Sequence, residues 1–229
     1  MSHDTLAVLI SGGLDSAILL GDSLRRHAAV VPIFIRCGLS WESIEAAYLH
    51  RYLEALQCLA VAAGLSQRLY PLVILDQPIA DVYGPHWSIT GNNVPIIGTP
   101  EEAVFLPGRN VLLLAKSLLW CHLQGVPAIA LGSLQTNPFP DATPEFFRGI
   151  QELVNQAMQG SVEVRLPLGG MKKVAVMQLG KGLPLEHTFS CIAPFNGLHC
   201  GRCSKCGERR DAFAGAGMAD PTRYQSPFV

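Results

Sequence analysis

The sequence predicts an α/β fold in which a doubly wound, mostly parallel sheet is followed by a small, cysteine-rich C-terminal tail. Short apolar segments such as 6–10 and 28–35 alternate with stretches of helical spacing, as in a parallel sheet that is covered on both faces. A glycine turn follows the first apolar segment, and four closely spaced cysteines lie near the end of the chain. With 229 residues, the chain is long enough to bury the core of one such domain.

Composition and charge exclude several classes of protein. The formal net charge is −1, so no global basic field points to nucleic acid, which we do not expect as a partner. Lys116 interrupts the longest apolar candidate, 111–121, and no run reaches the roughly 18 residues that a membrane span needs. Residues 1–5 lack the basic region of a signal peptide. We therefore expect a soluble, cytoplasmic protein with no membrane partner and no disulfides.

The glycine turn has the sequence SGGLDS at 11–16, between an apolar strand that ends at Ile10 and a helix. Two glycines without Cβ atoms let an anion approach the backbone, and the N–H groups that open the helix point at it, so the turn favours phosphate. The spacing is neither that of a Walker A loop nor G-x-G-x-x-G. A simple tight turn, with Asp15 or Ser16 as the helix N-cap, is the alternative.

The turn resembles the pyrophosphate loop, S-G-G-x-D-S, of the ATP pyrophosphatases, which transfer AMP to carboxylates or amides. That resemblance implies a PP-loop domain over 1–185 with an adenine nucleotide alpha hydrolase-like fold. In open α/β sheets ligands bind beyond the carboxyl ends of the strands. The expected ATP-binding residues are therefore Ile10, Ser11, Gly12, Gly13, Leu14, Asp15, Ser16, Arg36 at the end of the second strand, and Gly132 at the end of a later one.

The chain continues with a strand over 28–35 and a helix over 42–64, in which Gly64 is placed as a C-cap. Cys58 on this helix is interpreted as a small core residue. A further strand is predicted over 69–75.

Residues 76–107 are rich in Pro, Gly, Asn and Thr and show no sustained period. Loops this long in a compact domain are commonly lids or binding loops, so we predict a segment that covers the substrate. A poorly ordered surface insertion is the alternative, although Trp87 and Phe105 argue against it because disordered segments are poor in aromatic residues.

Arg109 and Asn110 open a predicted helix over 111–123, with Asn110 as its N-cap. An arginine beside a helix N-terminus suits an anionic group, so both residues are candidates for substrate binding. The next strand, 127–131, ends at Gly132, where a glycine allows a ligand to approach closely.

A loop over 135–144 is stiffened by three prolines and holds Asp141, whose carboxylate is placed to meet a guanine-like edge or an amine of the substrate. Beyond it we predict a helix over 146–158, a strand over 162–166 and a helix that begins at Lys172 and Lys173. The two lysines either reach phosphates at the sheet edge or form a solvated pair.

The cysteines of the tail are Cys191, Cys200, Cys203 and Cys206, in a C-x8-C-x2-C-x2-C array. Four thiolates make a closed, tetrahedral zinc site, and C-x2-C turns let neighbouring cysteines face one ion. We therefore predict one structural Zn²⁺ per chain within 186–229. An iron–sulfur cluster and disulfides are the alternatives, and His199 is interpreted as a bystander.

Together these motifs resemble the 7-cyano-7-deazaguanine synthase (QueC) family over nearly the full length of the chain. The matching stretches are SGGLDS at 11–16, LPGRN at 106–110, PEF at 144–146, the four-cysteine tail followed by CGERRDAF at 206–213, and the Ala-Gly and Asp-Pro pairs at 216–217 and 220–221.

The resemblance implies an ATP-dependent carbon–nitrogen ligase of queuosine biosynthesis that converts 7-carboxy-7-deazaguanine and ammonia to a nitrile through two adenylated intermediates. Its partners would be ATP, ammonia and the heterocyclic carboxylate, with Mg²⁺ bound alongside ATP and a homodimer as the expected assembly. The residues expected to act in catalysis are Asp15, Ser16, Arg109, Lys172 and Lys173, and those expected to bind the substrate are Arg109, Asn110 and Asp141.

Two loops depart from the family pattern. The family usually has aromatic-Gly-Gln after the second strand, where this chain has Cys37-Gly38-Leu39, and the loop over 133–139 also differs. A paralogue that activates another heterocyclic carboxylate, or joins a deazaguanine acid to another amine, would keep every ATP-side feature and change these loops.

A different function class is an RNA-binding zinc module with an ATP switch. Arg202, Lys205, Arg209 and Arg210 surround the cysteines and could contact phosphates. They could equally form a solvated face or bind a second subunit, which the nearly neutral total charge favours.

Overall fold

The computed structural model describes residues 4–225 and contains one parallel sheet with the strand order β3-β2-β1-β4-β5. The strands are β1 (Thr5–Leu9), β2 (Ala29–Arg36), β3 (Val73–Asp76), β4 (Ala128–Ala130) and β5 (Glu163–Arg165). Strand β1 is central, since Leu6 lies beside Val30 of β2 and beside Ala128 of β4. The predicted doubly wound sheet is confirmed, because the chain builds first to one side of β1 and then to the other.

Eight helices accompany the sheet within the described residues. They are α1 (Leu14–Arg26), α2 (Glu42–Ala62), α3 (Ala80–Tyr83), α4 (Trp87–Thr90), α5 (Arg109–Gln124), α6 (Pro144–Met158), α7 (Lys173–Leu179) and α8 (Ser204–Gly215). Four short 3₁₀ turns lie at Ser66–Arg68, Glu101–Val104, Pro140–Ala142 and Leu185–His187. Over residues 4–225, none of the helices is both long and apolar enough to cross a membrane.

Alternation along the strands creates two apolar cores. In β1, Ala7 faces the core beneath α5 and α6, whereas Leu6 and Val8 face the core that α1, α7 and α8 cover. Successive side chains of a strand point to opposite faces, and a parallel sheet buries both of them. The continuous apolar run of β1 follows from this double burial.

The buried face of helix α2 contacts helix α1 through a side-chain hydrogen bond. The hydroxyl of the buried Tyr52 donates a 2.6 Å hydrogen bond to the backbone oxygen of Ala17. Cys58, predicted as a core residue, is exposed. Leu56 and Ala60 form the buried stripe of this turn, and a residue midway between them faces the opposite side of the helix.

The segment 76–107 contains regular structure, contrary to the absence of period in its sequence. It holds α3, α4 and a 3₁₀ turn, and Trp87 stacks on Trp41 with ring centroids 5.8 Å apart. Its far end pairs with the cysteine-rich tail, because Ile97 N–H donates to the Arg202 oxygen at 3.0 Å. These contacts speak against a poorly ordered insertion. Its role as a cover for the substrate stays a prediction.

The cysteine-rich tail packs into the main domain. Phe189 and Cys191 belong to the core on the α5 and α6 side, while Phe213 of α8 belongs to the other core. The backbone N–H of Phe189 also donates a 2.7 Å hydrogen bond to the oxygen of Gly12. The tail therefore touches the glycine turn directly.

Candidate functional site

A cavity of about 380 Å³ opens at the carboxyl edge of the sheet, between the ends of β1 and β4. The strand order reverses at this point, which is where open α/β sheets bind ligands. Ile10 lines the cavity after β1, and Leu131 and Gly132 line it after β4. Its volume lies in the range of small-molecule sites.

Hydroxyl contacts hold the glycine turn at the base of this cavity. Gly12 has φ +80°, in the left-handed region that glycine adopts without strain. Ser16 Oγ accepts from Ser11 N–H at 3.2 Å and donates to the Gly13 oxygen at 3.2 Å. Gly13 is the N-cap of α1, without a side-chain cap, so the alternative of Asp15 or Ser16 as N-cap is wrong. No side chain of the described residues caps α1, and Leu14, Asp15 and Ser16 at its start line the cavity, so this helix start suits an anion.

An ion pair joins this turn to α7. Lys173 Nζ lies 2.7 Å and 2.8 Å from the two carboxylate oxygens of Asp15. The two side chains are 34% and 29% exposed, and both line the cavity. Lys172 is exposed and lies outside the cavity wall. The two predicted lysines are thus separated, and Lys173 is the one that lines the cavity.

Gly132 allows β4 to approach the glycine turn. A Cβ atom at this position would lie 3.1 Å from the backbone nitrogen of Ser16 and 3.2 Å from the carbonyl carbon of Asp15. Both are backbone atoms, so neither neighbour can rotate away. The glycine therefore permits a backbone approach that any other residue would disturb.

Arg109 lines the cavity from the start of α5. Its Nε is buried and has no hydrogen-bond partner among the described residues. Buried donors in native proteins are usually paired, so this guanidinium is suited to an anionic ligand.

Asn110 also lines the cavity but does not cap the helix as predicted, because the N-cap is Gly108. Asp141 stabilises this helix start instead. Its Oδ2 accepts from Asn110 N–H at 3.0 Å, while Asn110 Nδ2 donates to the Asp141 oxygen at 2.8 Å. Asp141 is buried and does not line the cavity. Its carboxylate therefore binds the backbone of Asn110 and does not face a ligand in the cavity.

Arg36 is also directed elsewhere. Its guanidinium donates to both carboxylate oxygens of Asp76 on β3, at 2.6 Å and 2.9 Å. This pair is exposed at the sheet edge, outside the cavity wall. Of the predicted ATP, substrate and catalytic residues, ten line the cavity, namely Ile10, Ser11, Gly13, Leu14, Asp15, Ser16, Arg109, Asn110, Gly132 and Lys173. Gly12, Arg36, Asp141 and Lys172 do not.

Several polar residues of the cavity wall are not among those predicted from the sequence. Glu45 of α2 lines it, and so do Ser190, Lys205, Glu208 and Arg209 from the cysteine-rich tail. The sequence does contain a signal for Glu45. It lies at helical spacing from Leu49 and Tyr52, and so it is an acidic residue on the buried face of α2. The contribution of the tail had no such signal, since it depends on how the chain packs.

Glu45 is the buried carboxyl group of the cavity. Burial raises its pKa from 4.5 to about 8, and the positive charge of Arg109 opposes this rise. The neighbouring Glu42 holds the loop after β2, since its Oε2 accepts hydrogen bonds from the N–H groups of Cys37 and Gly38. The wall of the cavity therefore combines a carboxyl whose pKa is raised by burial with a guanidinium whose Nε has no hydrogen-bond partner among the described residues.

The four cysteines form a cluster whose sulfur atoms all lie within 4.8 Å of one another. The Sγ atoms of Cys191 and Cys203 are 3.8 Å apart, and those of Cys200 and Cys206 are 3.9 Å apart. A tetrahedron with Zn–S bonds of about 2.3 Å has edges of about 3.8 Å, so the cluster could hold a metal such as zinc. Both distances are too long for disulfides, and a multi-iron cluster would need the thiolates farther apart.

Backbone groups around the cluster favour bound thiolates. Cys200 N–H points at Cys191 Sγ at 3.3 Å, and Cys203 N–H points at Cys200 Sγ at 3.2 Å. His199 is buried, and its Nε2 accepts a 3.2 Å hydrogen bond from Ser190 N–H, so it is not part of the sulfur cluster.

The basic residues near the cysteines do not form one face. Arg209 is 1% exposed and donates to the hydroxyls of Thr188 and Thr222, so it is neither solvated nor free to contact phosphates of RNA. Lys205 lines the cavity and pairs with Glu208 at 2.8 Å. Only part of the predicted basic surface therefore exists, and the four residues do not act as a unit.

The chain resembles known proteins over almost its whole length. It matches the family model described as "Queuosine biosynthesis protein QueC" over residues 5–217. The 7-cyano-7-deazaguanine synthase of Solidesulfovibrio magneticus is 34% identical, with 95% of this chain and 94% of that protein covered. The 7-cyano-7-deazaguanine synthase of Azoarcus sp. is 31% identical, with 96% of each chain covered.

Among solved structures, a 4-thiouridine synthetase in complex with RNA and bound ATP aligns with 93% of this chain and 50% of its own chain. The TM-score is 0.48 and the sequence identity is 14%.

Proposed function

This chain belongs to the family of the queuosine biosynthesis protein QueC, and from that premise we propose that it converts 7-carboxy-7-deazaguanine and ammonia to 7-cyano-7-deazaguanine with ATP. The observation that carries the proposal is the SGGLDS turn at the base of the cavity, flanked by Lys173 and Arg109. The relatives from Solidesulfovibrio magneticus and Azoarcus sp. are named 7-cyano-7-deazaguanine synthases, and their matches to this chain cover 95% and 96% of it.

The first half of the proposed reaction transfers AMP to the acid. The substrate carboxylate attacks the α-phosphate, the bond to the leaving pyrophosphate breaks, and an acyl adenylate forms. The N–H groups at the start of α1 bind the pyrophosphate, while Lys173 and Arg109 offset the negative charge that develops. No side chain has to act as a nucleophile.

The second half makes the carbon–nitrogen bond and then the nitrile. Ammonia displaces AMP from the acyl adenylate and gives a primary amide. The amide oxygen then attacks the α-phosphate of a second ATP and pyrophosphate leaves. Loss of AMP, which carries away the amide oxygen, and of the two amide protons leaves the nitrile. Each adenylation converts a poor leaving group into a good one.

Mg²⁺ with ATP is part of the proposal. The carboxylate of Asp15 is an oxygen donor in the cavity wall beside the turn, which suits a hard cation. A magnesium ion bound there with ATP would neutralise phosphate charge. Asp15 is the side chain that we assign to hold it.

The bound metal of the tail is proposed to be one structural zinc ion held by Cys191, Cys200, Cys203 and Cys206. The sulfur distances match a single tetrahedral ion, and the four ligands leave no position for water. Cysteines that form no disulfides are typical of a reducing compartment, which supports a cytoplasmic location.

A homodimer completes the proposal. Exposed apolar side chains on α5 and α6, such as Leu119, Leu123 and Leu153, offer surface for a second copy.

A paralogue with a different acid or amine is the second candidate. The observation that favours it is the placement of Asp141, whose carboxylate binds the backbone of Asn110 and does not reach the cavity. The purine end of the substrate would then be recognised by other groups. This candidate keeps the same ATP chemistry.

The test is turnover by the purified protein with ATP, Mg²⁺, ammonium and 7-carboxy-7-deazaguanine. Release of AMP and pyrophosphate together with a nitrile product, identified by mass spectrometry, is the expected result. Release of AMP only with another carboxylate would favour the paralogue, and binding of ATP without any release would overturn both.

A further inference from the structure

Three carboxylates line the cavity, and two of them form ion pairs with lysines. Asp15 pairs with Lys173 at 2.7 Å, and Glu208 pairs with Lys205 at 2.8 Å. Glu45 has no lysine, arginine or histidine nitrogen within 4 Å over the part of the chain that the structure describes. It is therefore the carboxylate of the wall that no cation contacts, and its side-chain hydrogen-bond partner is Trp41.

Glu45 lies between the two parts of the site that hold charge. A Cβ atom on Gly12 would lie 3.4 Å from Glu45 Cγ, so α2 packs directly against the glycine turn. On the other side, the charge of Arg109 acts on the Glu45 carboxyl, and Arg109 Nε has no partner of its own. A substrate carboxylate held by Arg109 and adenylated at the turn would place its carbonyl carbon beside Glu45.

We propose that Glu45 is the proton acceptor for the attack of ammonia on the acyl adenylate. This assignment rests on the proposed function. The nitrogen of ammonia forms a bond to the carbonyl carbon, and Glu45 takes one proton from the resulting ammonium group. The bond from carbon to the AMP oxygen then breaks, and AMP leaves with the electron pair. The products are the primary amide, AMP and a protonated Glu45, which returns its proton to solvent.

The surroundings of Glu45 suit this task. A carboxyl in contact with water is a weak base, whereas burial of Glu45 raises its pKa to about 8 and makes it a stronger one near physiological pH. The charged and titratable groups that face it are Arg109 from α5, Glu42 on its own helix and Cys37 after β2. Arg109 keeps part of the Glu45 population ionised, because its positive charge lowers the pKa.

The two half-reactions separate this role from a structural one. Exchange of labelled pyrophosphate into ATP, dependent on the acid, reports adenylation and needs no proton acceptor for ammonia. Amide formation with ammonium reports the second step. In Glu45→Gln, which keeps the shape of the side chain, we expect exchange within about twofold of wild type and a loss of amide formation of about 10²-fold or more.

Glu54→Gln is the matched control, because Glu54 lies on the same helix and is exposed. It should leave both half-reactions unchanged. At constant free ammonia, amide formation by the wild type should rise with pH to a plateau above about pH 8, and the residual rate of Glu45→Gln should lack this rise.

Two results would overturn the assignment: amide formation by Glu45→Gln close to the wild-type rate, or a parallel loss of exchange and amide formation. Absence of acid-dependent exchange in the wild type is a different outcome, which would overturn the proposed function and this assignment with it.

Discussion

Lys173 Nζ contacts both carboxylate oxygens of Asp15, although the two residues are 158 positions apart in the chain. The contact joins the N-terminus of α7 to the first turn of α1 at the base of the cavity. Asp15 is the carboxylate that we assign to magnesium, and Lys173 is the cation nearest to it. Together they set the charge at the place where pyrophosphate is expected to leave.

Neutralising Lys173 should slow adenylation more than it changes the fold. In Lys173→Met we expect a loss of about 10²-fold in acid-dependent pyrophosphate exchange, because a positioned cation no longer offsets the charge of the leaving group. Lys181→Met is the control, since Lys181 is exposed and outside the cavity. Equal rates for wild type and Lys173→Met would show that this lysine serves only to pair with Asp15.

Gly132→Ala should displace the glycine turn. The added Cβ would meet the backbone of Ser16 and Asp15 at 3.1 Å and 3.2 Å, and crowding of this kind costs about 1–3 kcal/mol. We expect a lower denaturant midpoint and at least tenfold slower exchange. Gly149→Ala on α6 has open space around its Cβ and should instead raise stability by about 0.5–1 kcal/mol. Pyrophosphate exchange by Gly132→Ala at the wild-type rate would show that the glycine turn can shift to accommodate the added Cβ.

Removing a cysteine of the cluster should remove the metal. In Cys203→Ser we expect loss of bound zinc and a lower melting temperature, because binding of a structural ion is part of the folding free energy. Cys58→Ser is the control, since Cys58 is exposed on α2. Zinc content measured by mass spectrometry distinguishes the two, and an unchanged zinc content in Cys203→Ser would refute the assignment of the ligands.

Chelation of the metal should also release the segment 76–107. Its end is held by the tail through Ile97 N–H to the Arg202 oxygen and Ser204 N–H to the Pro95 oxygen, each at 3.0 Å. We expect limited proteolysis to cut within 76–107 several times faster after zinc is removed. A cleavage rate that does not respond to chelation would show that contacts outside the tail hold the segment, such as the Trp41 and Trp87 stack and the hydrogen bond from Ser40 N–H to the Ser88 oxygen.

Glu45 predicts a pH dependence of stability. Between 4.5 and about 8, the folded protein keeps a proton on Glu45 that the unfolded chain has released. The contribution of this group is therefore complete below about pH 4.5 and falls as the pH rises, by at most about 1.4 kcal/mol per pH unit. It is lost above about pH 8.

Urea unfolding of wild type and Glu45→Gln across this range measures the effect. The difference in unfolding free energy between the two should shift in favour of the variant as the pH rises to about 8 and then level off. A difference that is constant with pH would place the Glu45 pKa in the folded protein near its ordinary value.

Local features of the sequence determined the fold class and the two strongest elements of the site. Apolar strands, the SGGLDS turn and the spacing of the four cysteines are each set within a few residues, so the backbone has little choice in how they fold. The predicted sheet agrees with the structure for this reason. The cysteine sulfur atoms likewise meet at distances that suit one ion.

Only the tertiary structure decided where the polar side chains point. Asp141 accepts a hydrogen bond from Asn110 N–H at the start of α5, Arg36 pairs with Asp76, and Arg209 is buried among hydroxyls. Each of the three was predicted to face a ligand or solvent. A side chain at a strand end or in a loop can point toward the cavity or away from it. Which direction it takes depends on partners in elements that are far away in the sequence. Glu45 was not predicted as a site residue for the same reason, because its proposed role depends on how α2 packs against the glycine turn and α5.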